Sequence, residues 1–327
     1  MKASIFHETG EVEVLKYEDT DTPSIGDNDV LIKVKASTLN SLDLKLRAGT
    51  SPRPVKLPHI GGVDVAGEVE SVGSGVQNVK PGDRVVVNPT IKLEKGISVV
   101  GVNQHGGFAE YVSVPASNVV TIPDELNFDI ASTLPVCYVT ALYGLRNRGG
   151  LQSGETVVVH AAGSGTGSAA IEVAKYFGAN VIATAGSDEK LEKAKELGAD
   201  EVINYKNSDF AEVIKGGVDL IFDQVGASYW DKNLKILKPG GRLLLVGVVG
   251  GGMVEKAMLG PLIMRDISVI GVTMFNAPNS VLEEVVQLAG EGKFKPAIYK
   301  IFPLSENHNA QKVLQDSEQF GKVILNP

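Results

Sequence analysis

Cysteine is almost absent from this sequence. Among 327 residues there is one, Cys137, so no disulfide can form within the chain and no zinc site can be built from cysteines. A lone cysteine fits a reducing compartment, and it is more often a small buried hydrophobe than a metal ligand. The N-terminus has no apolar run of signal-peptide length, and we expect no uninterrupted apolar stretch long enough to span a bilayer. These absences predict a cytoplasmic protein without a membrane partner.

Positive charge is also scarce. The chain has 31 Lys and Arg against 39 Asp and Glu, a formal net charge of -8, and it has no basic run or arm. That balance argues against nucleic acid as a partner. The composition, with 43% hydrophobic and 21% charged residues, is that of a soluble globular protein with a large core. The length suggests two domains, and no internal repeat or low-complexity segment interrupts them.

A turn of small residues joins a predicted strand to a predicted helix. Residues 157–160 are an apolar β-branched run ending in His160, and residues 161–168 contain no bulky side chain. A helix with one apolar face is predicted next, and Gly178 is placed where it would stop. The apolar positions of this helix are Ala170, Val173, Ala174 and Phe177.

The glycines of this turn depart from the order G-x-G-x-x-G. They are Gly163, Gly165 and Gly167, and the match is to a variant, Ala162-x-x-Gly165-x-Gly167. Such a turn lets the backbone approach a pyrophosphate that the helix N-terminus holds, although small residues can also serve merely to pack strand and helix closely. We interpret the segment as the first βα unit of a dinucleotide-binding fold. Its predicted cofactor-binding residues are Ser164, Gly165, Thr166 and Gly167.

Two patterns divide the chain. Up to about Leu126, short alternating runs separated by turn residues predict a curved β domain. From Pro123 onward, strands alternating with helices predict a parallel sheet covered on both faces, closed by a strand at 268–272. A helix at 281–288 and short elements at 297–327 are predicted to follow. We therefore predict a β domain over 1–125, a nucleotide-binding domain over 126–268, and a return to the first domain over 269–327. The parallel strands are predicted near Val157, Val181, Val202, Val218 and Leu243.

Motifs along nearly the whole chain carry a family resemblance. They are LNSLD (39–43), GEV (67–69), VGSGV (72–76), KPGDRV (80–85), GFAEY (107–111), HAA (160–162), LGAD (197–200) and KPGG (238–241). The sequence resembles the medium-chain dehydrogenase/reductase superfamily, in the pattern of its quinone oxidoreductase and zeta-crystallin branch. The resemblance implies an α/β protein, with a GroES-like β domain, a Rossmann domain built on a doubly wound parallel sheet, and an active site in the cleft between them. It also implies a homodimer in which the 268–272 strands pair across a two-fold axis.

The resemblance places the catalytic zinc ligands of metal-dependent members at Asn40, Val63 and Val136. Valine cannot coordinate a metal, and Cys137 is one position away from the expected ligand. Residues 88–105 stand where the family has a cysteine-rich lobe with a second zinc, and they include no cysteine. We therefore predict no metal site. The alternative ligand set, interpreted here as surface or cleft residues, is His59, His105 and Asp64.

The end of the second Rossmann strand predicts NADP as the cofactor. NAD-preferring domains usually carry Asp or Glu about 20 residues beyond the glycines, whereas residues 184–187 here are neutral. Lys190 would neutralise a 2′-phosphate and Ser187 would donate to it; the alternatives are a solvated helix face and a helix N-cap. The adjacent Asp188 is interpreted as a helix start. The resemblance assigns the 2′-phosphate to Gly186, Lys190 and Tyr205.

Without a metal, the expected acceptor of hydride is electron-poor, such as a quinone or the β-carbon of an enone. Asn40 is the first candidate to stabilise the charge that develops on the acceptor oxygen, and Lys45 is the second, where quinone reductases often have tyrosine. Asp43 is expected to brace its loop rather than to act as a base. Further cofactor contacts are expected at Ser41, Thr140, Gly247, Val248, Met274 and Phe275.

Thr140 is expected beside the nicotinamide by resemblance, and its alternative is an ordinary helix residue. The irregular segments 51–59 and 274–280 do not identify the substrate. The predicted activity is a zinc-independent, NADPH-dependent reduction of a quinone or an α,β-unsaturated carbonyl compound. Two alternatives stay open, namely an alcohol dehydrogenase of the same superfamily with an improvised metal site, and a non-catalytic NADPH-binding structural or regulatory protein.

Overall fold

The structure is a computed structural model that describes residues 1–53 and 55–327. Pro54, in the predicted substrate segment 51–59, lies outside the described residues. The chain divides into two compact units. The first unit comprises Met1–Val136, Pro278–Gly292 and Ile298–Pro327, and the second comprises Cys137–Ala277 and Lys293–Ala297.

The N-terminal part of the first unit is built mainly of strands. Alternation explains them: in the long third strand Val30, Ile32 and Val34 are buried, whereas Lys33 between them is exposed. The elements are β1 (Lys2–Phe6), β2 (Leu15–Asp19), β3 (Asp29–Thr38), α1 (Ser41–Arg47), β4 (His59–Ile60), β5 (Asp64–Val72), β6 (Arg84–Val87), β7 (Thr90–Lys92), β8 (Ile97–Val99), β9 (Tyr111–Pro115), β10 (Val119–Thr121) and α2 (Phe128–Thr133).

The second unit alternates strands and helices, as predicted. Its elements are α3 (Val139–Leu142), β11 (Thr156–Val159), α4 (Gly165–Tyr176), β12 (Asn180–Ala185), α5 (Asp188–Glu196), β13 (Glu201–Asn204), α6 (Phe210–Val213), β14 (Val218–Asp223), α7 (Trp230–Ile236), β15 (Leu237–Leu245), α8 (Gly260–Met264) and β16 (Ser268–Gly271). The strands are parallel in the order β13-β12-β11-β14-β15-β16. The order reverses at β11, and in such sheets ligands bind beyond the carboxyl ends of the strands at that point.

The chain then returns to the first unit through α9 (Asn279–Gly290), β17 (Ile298–Pro303), α10 (Asn307–Gln315) and β18 (Lys322–Asn326). Strand β18 pairs with β3 on one side and with β17 on the other, so the sheet runs β10-β6-β5-β3-β18-β17, with β9 also paired to β3. Side chains of this tail, including Phe302 and Leu325, share a core cluster with Ile5 and Phe108. The prediction of a β domain followed by a parallel α/β sheet is confirmed.

The helical stretch Phe128–Arg148 differs from expectation. It contains α2 and α3 interrupted by π-helical turns at Leu134–Tyr138 and Tyr143–Arg148. Its 21 residues are long and apolar enough to cross a membrane, by length and composition alone, although the sequence predicted no such stretch. About 72% of its apolar window is buried inside the structure, and core helices of soluble proteins pass the same test.

Candidate functional site

The glycine turn of the second unit is shaped for close approach of backbone to backbone. Ala161, the second residue after β11, has a φ of +53°, which is uncommon for a residue with a side chain. A Cβ placed on Gly167 would lie 2.2 Å from the carbonyl oxygen of Ala161, so no larger residue fits there. Ser164 caps α4, because its Oγ accepts the N–H of Gly167 at 2.9 Å. The turn thus leads into a capped helix N-terminus, the arrangement that holds a pyrophosphate.

Lys190 extends back from α5 over this turn. A Cβ on Gly163 would lie 2.8 Å from the Cδ of Lys190, so the absence of a side chain at Gly163 makes room for the lysine stem. Burial lowers the pKa of Lys190, and the nearby positive charge of Lys206 acts in the same direction. Ser187 caps α5 by accepting the N–H of Lys190 at 3.4 Å. The N-cap interpretation of Ser187 is therefore confirmed, and it leaves a 2′-phosphate role open to the same residue.

Two side chains from the end of β13 close over Gly186. A Cβ on Gly186 would lie 2.5 Å from the hydroxyl oxygen of Tyr205 and 3.3 Å from the Cε of Lys206. The neighbouring acid, Asp188, is held by Asn204, whose Nδ2 donates to its Oδ1 at 2.7 Å. The strand end therefore presents a hydroxyl and two ammonium groups, with the adjacent carboxylate already paired. Lys206 was missed in the sequence, although its place directly after Tyr205 would have indicated it.

The remaining predicted cofactor residues fall in both units. Gly247 packs against the loop after β14, since a Cβ there would lie 2.8 Å from the carbonyl oxygen of Gln224. Val248 is exposed, Met274 is buried, and Phe275 is half-buried in a short 3₁₀ helix. The second unit brings Gly165, Gly167, Gly186, Ser187, Lys190 and Tyr205 to the carboxyl end of its sheet, and it also holds Ser164, Thr166, Thr140, Gly247, Val248, Met274 and Phe275. Ser41, Asn40 and Lys45 belong to the first unit.

In the first unit, Asn40 is fully engaged by its neighbours. Its Nδ2 donates to Asp64 Oδ2 at 2.9 Å and weakly to the Thr38 carbonyl at 3.4 Å, and its Oδ1 accepts from Lys322 Nζ at 2.8 Å. An acceptor oxygen could therefore take the place of the weak Thr38 bond without disturbing the other two. Lys45, the second candidate, is exposed on the last turn of α1.

A buried ion pair lies next to Asn40. Lys322 Nζ is 3.1 Å from Asp64 Oδ2, with side-chain exposures of 5% and 0%. The same Oδ2 accepts from the Thr38 hydroxyl at 2.7 Å, and Oδ1 accepts the N–H of Val136 at 2.9 Å. Because every oxygen of this carboxylate is hydrogen-bonded, the charge is well compensated. Lys322 was not predicted from the sequence, because its partner is 258 residues away in the chain.

Asp43 braces the loop around Asn40, as expected. Its carboxylate accepts the N–H of Asn40 at 2.8 Å and the N–H of Gly62 at 3.1 Å. Burial raises the pKa of Asp43 to about 7, against the lowering effect of the two N–H donors and of Lys322. The group thus joins α1 to the segment after β4 and titrates near neutrality.

The donor set does not fit a zinc ion. Val63 is fully buried and Val136 offers only its backbone N–H, already given to Asp64. His59 Nε2 lies 3.0 Å from the Gly101 carbonyl, and His105 Nδ1 accepts the N–H of Ile60. Within residues 1–53 and 55–327, no group of three or more His, Cys, Asp or Glu side chains is placed to hold a metal ion.

Comparison with known proteins agrees with this architecture. Residues 26–124 match the family described as alcohol dehydrogenase GroES-like domain, and residues 165–291 match the zinc-binding dehydrogenase family. The quinone oxidoreductase of Rattus norvegicus is 33% identical, over 99% of this chain and 97% of its own. The 2-methylene-furan-3-one reductase of Solanum lycopersicum is 35% identical, over 100% of this chain and 79% of its own. A solved NAD-dependent alcohol dehydrogenase is 35% identical, with a TM-score of 0.94 and full coverage of both chains.

Proposed function

Because the chain belongs to the medium-chain dehydrogenase/reductase superfamily, we propose that it is a zinc-independent reductase that uses NADPH to reduce quinones or α,β-unsaturated carbonyl compounds. Membership makes it an oxidoreductase with an NAD(P)-binding fold. The observation that carries the finer proposal is the replacement of three metal ligands by Asn40, Val63 and Val136, with the adjacent Asp64 paired to Lys322 instead. Simple alcohol oxidation needs an alkoxide to be stabilised by several kcal/mol of Lewis acidity, which this donor set does not offer.

The preference for NADPH over NADH follows from the end of β12. A 2′-phosphate is an anion whose oxygens accept hydrogen bonds. Charge-assisted hydrogen bonds to such an anion, from lysine and hydroxyl donors, are stronger than hydrogen bonds between neutral groups. Lys190, Lys206 and Tyr205 surround Gly186 and the glycine turn. An acidic side chain that accepts hydrogen bonds from the ribose hydroxyls would favour NADH, but the carboxylate of Asp188 accepts a hydrogen bond from Asn204.

Bound NADPH supplies the hydride, and the protein positions the acceptor and stabilises the charge that forms on it. Lys322 donates to Asn40 Oδ1, which polarises the amide and makes its N–H a better donor. The acceptor oxygen would take the Nδ2 hydrogen that now makes the 3.4 Å contact with the Thr38 carbonyl. A quinone or enone needs no more than such a donor, because its electron-poor carbon accepts hydride directly.

The relatives support two classes of hydride acceptor and one alternative function. The names of the rat and tomato proteins describe reduction of a quinone and of a methylene-furanone. The solved NAD-dependent alcohol dehydrogenase favours the rival, an alcohol dehydrogenase that uses NAD.

A substrate panel separates these candidates. Initial rates would be measured with quinones, enones and enoyl thioesters plus NADPH or NADH, and with simple alcohols plus NADP or NAD, before and after prolonged chelation and with elemental analysis of the same sample. We expect NADPH-dependent reduction that chelation leaves unchanged, and poor turnover of alcohols. Stoichiometric zinc with activity lost on chelation and restored by metal would refute the proposal. Tight NADPH binding without turnover of any acceptor would instead indicate a non-catalytic role.

We further propose a cytoplasmic homodimer. Strand β16 pairs with β15 on one side, and its other edge has no partner among the described strands. An apolar edge of this kind is stabilised by pairing with a second copy. Nearby residues that are strongly exposed in the single chain include Met258, Leu259, Ile263 and Met264.

A further inference from the structure

His160 is a completely buried titratable residue of the second unit to which no role has been given. It follows β11 directly and precedes the glycine turn. Its Nδ1 lies 2.9 Å from the Thr184 hydroxyl and its Nε2 lies 2.8 Å from Asn233 Oδ1. The ring packs on Phe210 and Tyr229 with centroids 4.7 and 4.9 Å away. Burial lowers the pKa of His160 to about 4, so the imidazole is neutral at physiological pH.

The donor and the acceptor of each hydrogen bond around His160 can be assigned. Asn233 Nδ2 donates to Asp223 Oδ2 at 3.0 Å, and an ionised carboxylate can only accept, so the amide oxygen of Asn233 must face His160. The oxygen can only accept in turn, and therefore Nε2 of His160 carries the proton. Nδ1 then accepts from the Thr184 hydroxyl. One set of donors and acceptors therefore satisfies the whole hydrogen-bond series, and it fixes a single tautomer of His160. The series runs through Thr184, His160, Asn233 and Asp223.

This series of hydrogen bonds ends at the backbone of a turn that the cofactor is expected to contact. Asp223 Oδ1 accepts the N–H of Val225 at 2.6 Å and that of Gly226 at 3.2 Å, which fixes the turn after β14. Carbonyls of this turn accept the N–H groups of Val249 and Gly250, at 3.1 and 2.8 Å. The side chain of His160 is therefore connected through the turn to residues 247–251, which include the predicted cofactor contacts Gly247 and Val248. These residues follow β15, on the side of β11 opposite to β12, and in doubly wound folds the two halves of the sheet bind the two mononucleotides of the ligand. The half with β14 and β15 would therefore face the nicotinamide mononucleotide.

The backbone carbonyl of His160 begins a second series of hydrogen bonds. Its carbonyl accepts from Gln224 Nε2 at 3.1 Å, and Gln224 Oε1 lies 3.0 Å from the Oγ of Ser164, the cap of α4. One residue at the end of β11 is thus tied to both the glycine turn and the turn after β14. A buried polar chain that is fully satisfied is rigid, whereas cutting it leaves an expensive unpaired group.

We propose that neutral His160 is a positioning residue that sets the turn after β14, and through it residues 247–251, for the nicotinamide half of the cofactor. The inference rests on the proposed function in so far as the ligand is a dinucleotide. The strand end around Gly186, which would hold the adenosine half, is reached from His160 on the other side, through Thr184 on β12 and through Tyr229, whose ring lies 6.5 Å from that of Tyr205. Only the bonds through Asn233 lead to the turn after β14.

The test compares two ligands on the intact apoprotein by calorimetry, namely NADPH and 2′,5′-ADP, which carries the adenosine half alone. Asn233→Leu cuts the chain beyond His160, and His160→Phe removes it while retaining a ring between Phe210 and Tyr229. Asn233→Leu should bind NADPH roughly tenfold more weakly or worse, the scale of one unpaired buried group, and bind 2′,5′-ADP within about threefold of wild type. His160→Phe also removes the bond to Thr184, and it should weaken NADPH at least as much. Phe210→Leu is the matched control, because it removes packing on the same ring and no hydrogen bond. It should lower the Tm and change both affinities by less than about threefold.

A second measurement does not depend on any variant folding. Nitrogen-15 NMR of histidine-labelled wild-type protein should show His160 as the neutral tautomer protonated on Nε2 between pH 5 and pH 8. Protonation on Nδ1, or an imidazolium, would overturn the inference. Equal losses of affinity for the two ligands in Asn233→Leu would also overturn it. The same holds if Phe210→Leu, at an equal decrease in Tm, loses as much affinity for NADPH as Asn233→Leu does. Failure of the proposed function would appear in the wild type, which would then favour NADH or bind neither dinucleotide, whereas failure of this inference appears in the variants and in the spectrum.

Discussion

Replacing Lys190 with methionine should change the cofactor preference of the protein. Methionine keeps most of the unbranched stem that lies over Gly163, so the substitution removes the charge and little packing. A charged hydrogen bond is worth about 1.5–3 kcal/mol, which corresponds to a loss of roughly 10- to 150-fold in affinity. We expect the lower part of this range, because burial already lowers the pKa of Lys190 and Lys206 is nearby to compensate. The affinity for NADH, which has no 2′-phosphate, should stay within about twofold.

The assay is a titration of NADPH and NADH into wild type and variants at fixed ionic strength. Lys193→Met is the matched control, since Lys193 lies one turn along the same helix and is paired with Glu189 at 2.7 Å. It changes the net charge of the protein by the same amount and should leave both affinities unchanged within about twofold. Equal losses of NADPH and NADH in Lys190→Met, or an equal NADPH loss in Lys193→Met, would refute the assignment of Lys190 to the 2′-phosphate.

Four further predictions follow from the same structure. Lys206→Met should weaken NADPH by about threefold to tenfold with NADH unchanged, and an unchanged NADPH affinity would remove Lys206 from the site. Lys322→Met should lower the free energy of unfolding in urea by about 3–5 kcal/mol, because it leaves the buried carboxylate of Asp64 without its cation, and adding Asp64→Asn should recover part of that loss; additive losses would contradict the ion pair. Light scattering at micromolar concentration should give the mass of a dimer, and a monomer would rule out pairing of β16. Because the pKa of His160 falls from 6.5 unfolded to about 4 folded, the unfolded state binds more protons between these values, and stability should fall by about 3 kcal/mol as the pH drops from 6.5 to 4. Asp43, with its raised pKa, has the opposite slope, so the test is whether His160→Phe lacks this acid-side loss relative to wild type.

The elements were predictable wherever local pattern determined them. Periodicity placed strands at Val157 and Val181 and a helix at 281–288, and the structure confirms each. Gly178, with a φ of +77°, follows α4 where a left-handed residue is needed to end a helix. These features depend on neighbours within a few residues, so one sequence suffices to read them.

The first-unit site could not be read in the same way. Asn40 was predicted as a hydrogen-bond donor, but its engagement by Asp64 and Lys322 depends on β18 pairing with β3, across most of the chain. Lysine in a predicted strand gives no sign that it will be buried, because lysine is usually exposed. The helical stretch from Phe128 was likewise missed as a single long element, since its π-helical turns break the 3.6-residue period.

The position of β18 has a consequence for synthesis of the protein. The last strand of the sequence is an interior strand of its sheet, bordered by β3 and β17, and Lys322 on it completes the ion pair with Asp64. The strands of the second unit, by contrast, all come from one continuous stretch of chain. During translation the second unit can therefore close its sheet while the ribosome is still adding residues. Strand β3 can pair early with β5 and β9, but its pairing with β18 must wait for residues almost 300 positions later. A ribosome that stops before β18 would release a chain with a folded nucleotide-binding sheet and an open, apolar β-sheet edge, a species for chaperones and proteases to recognise.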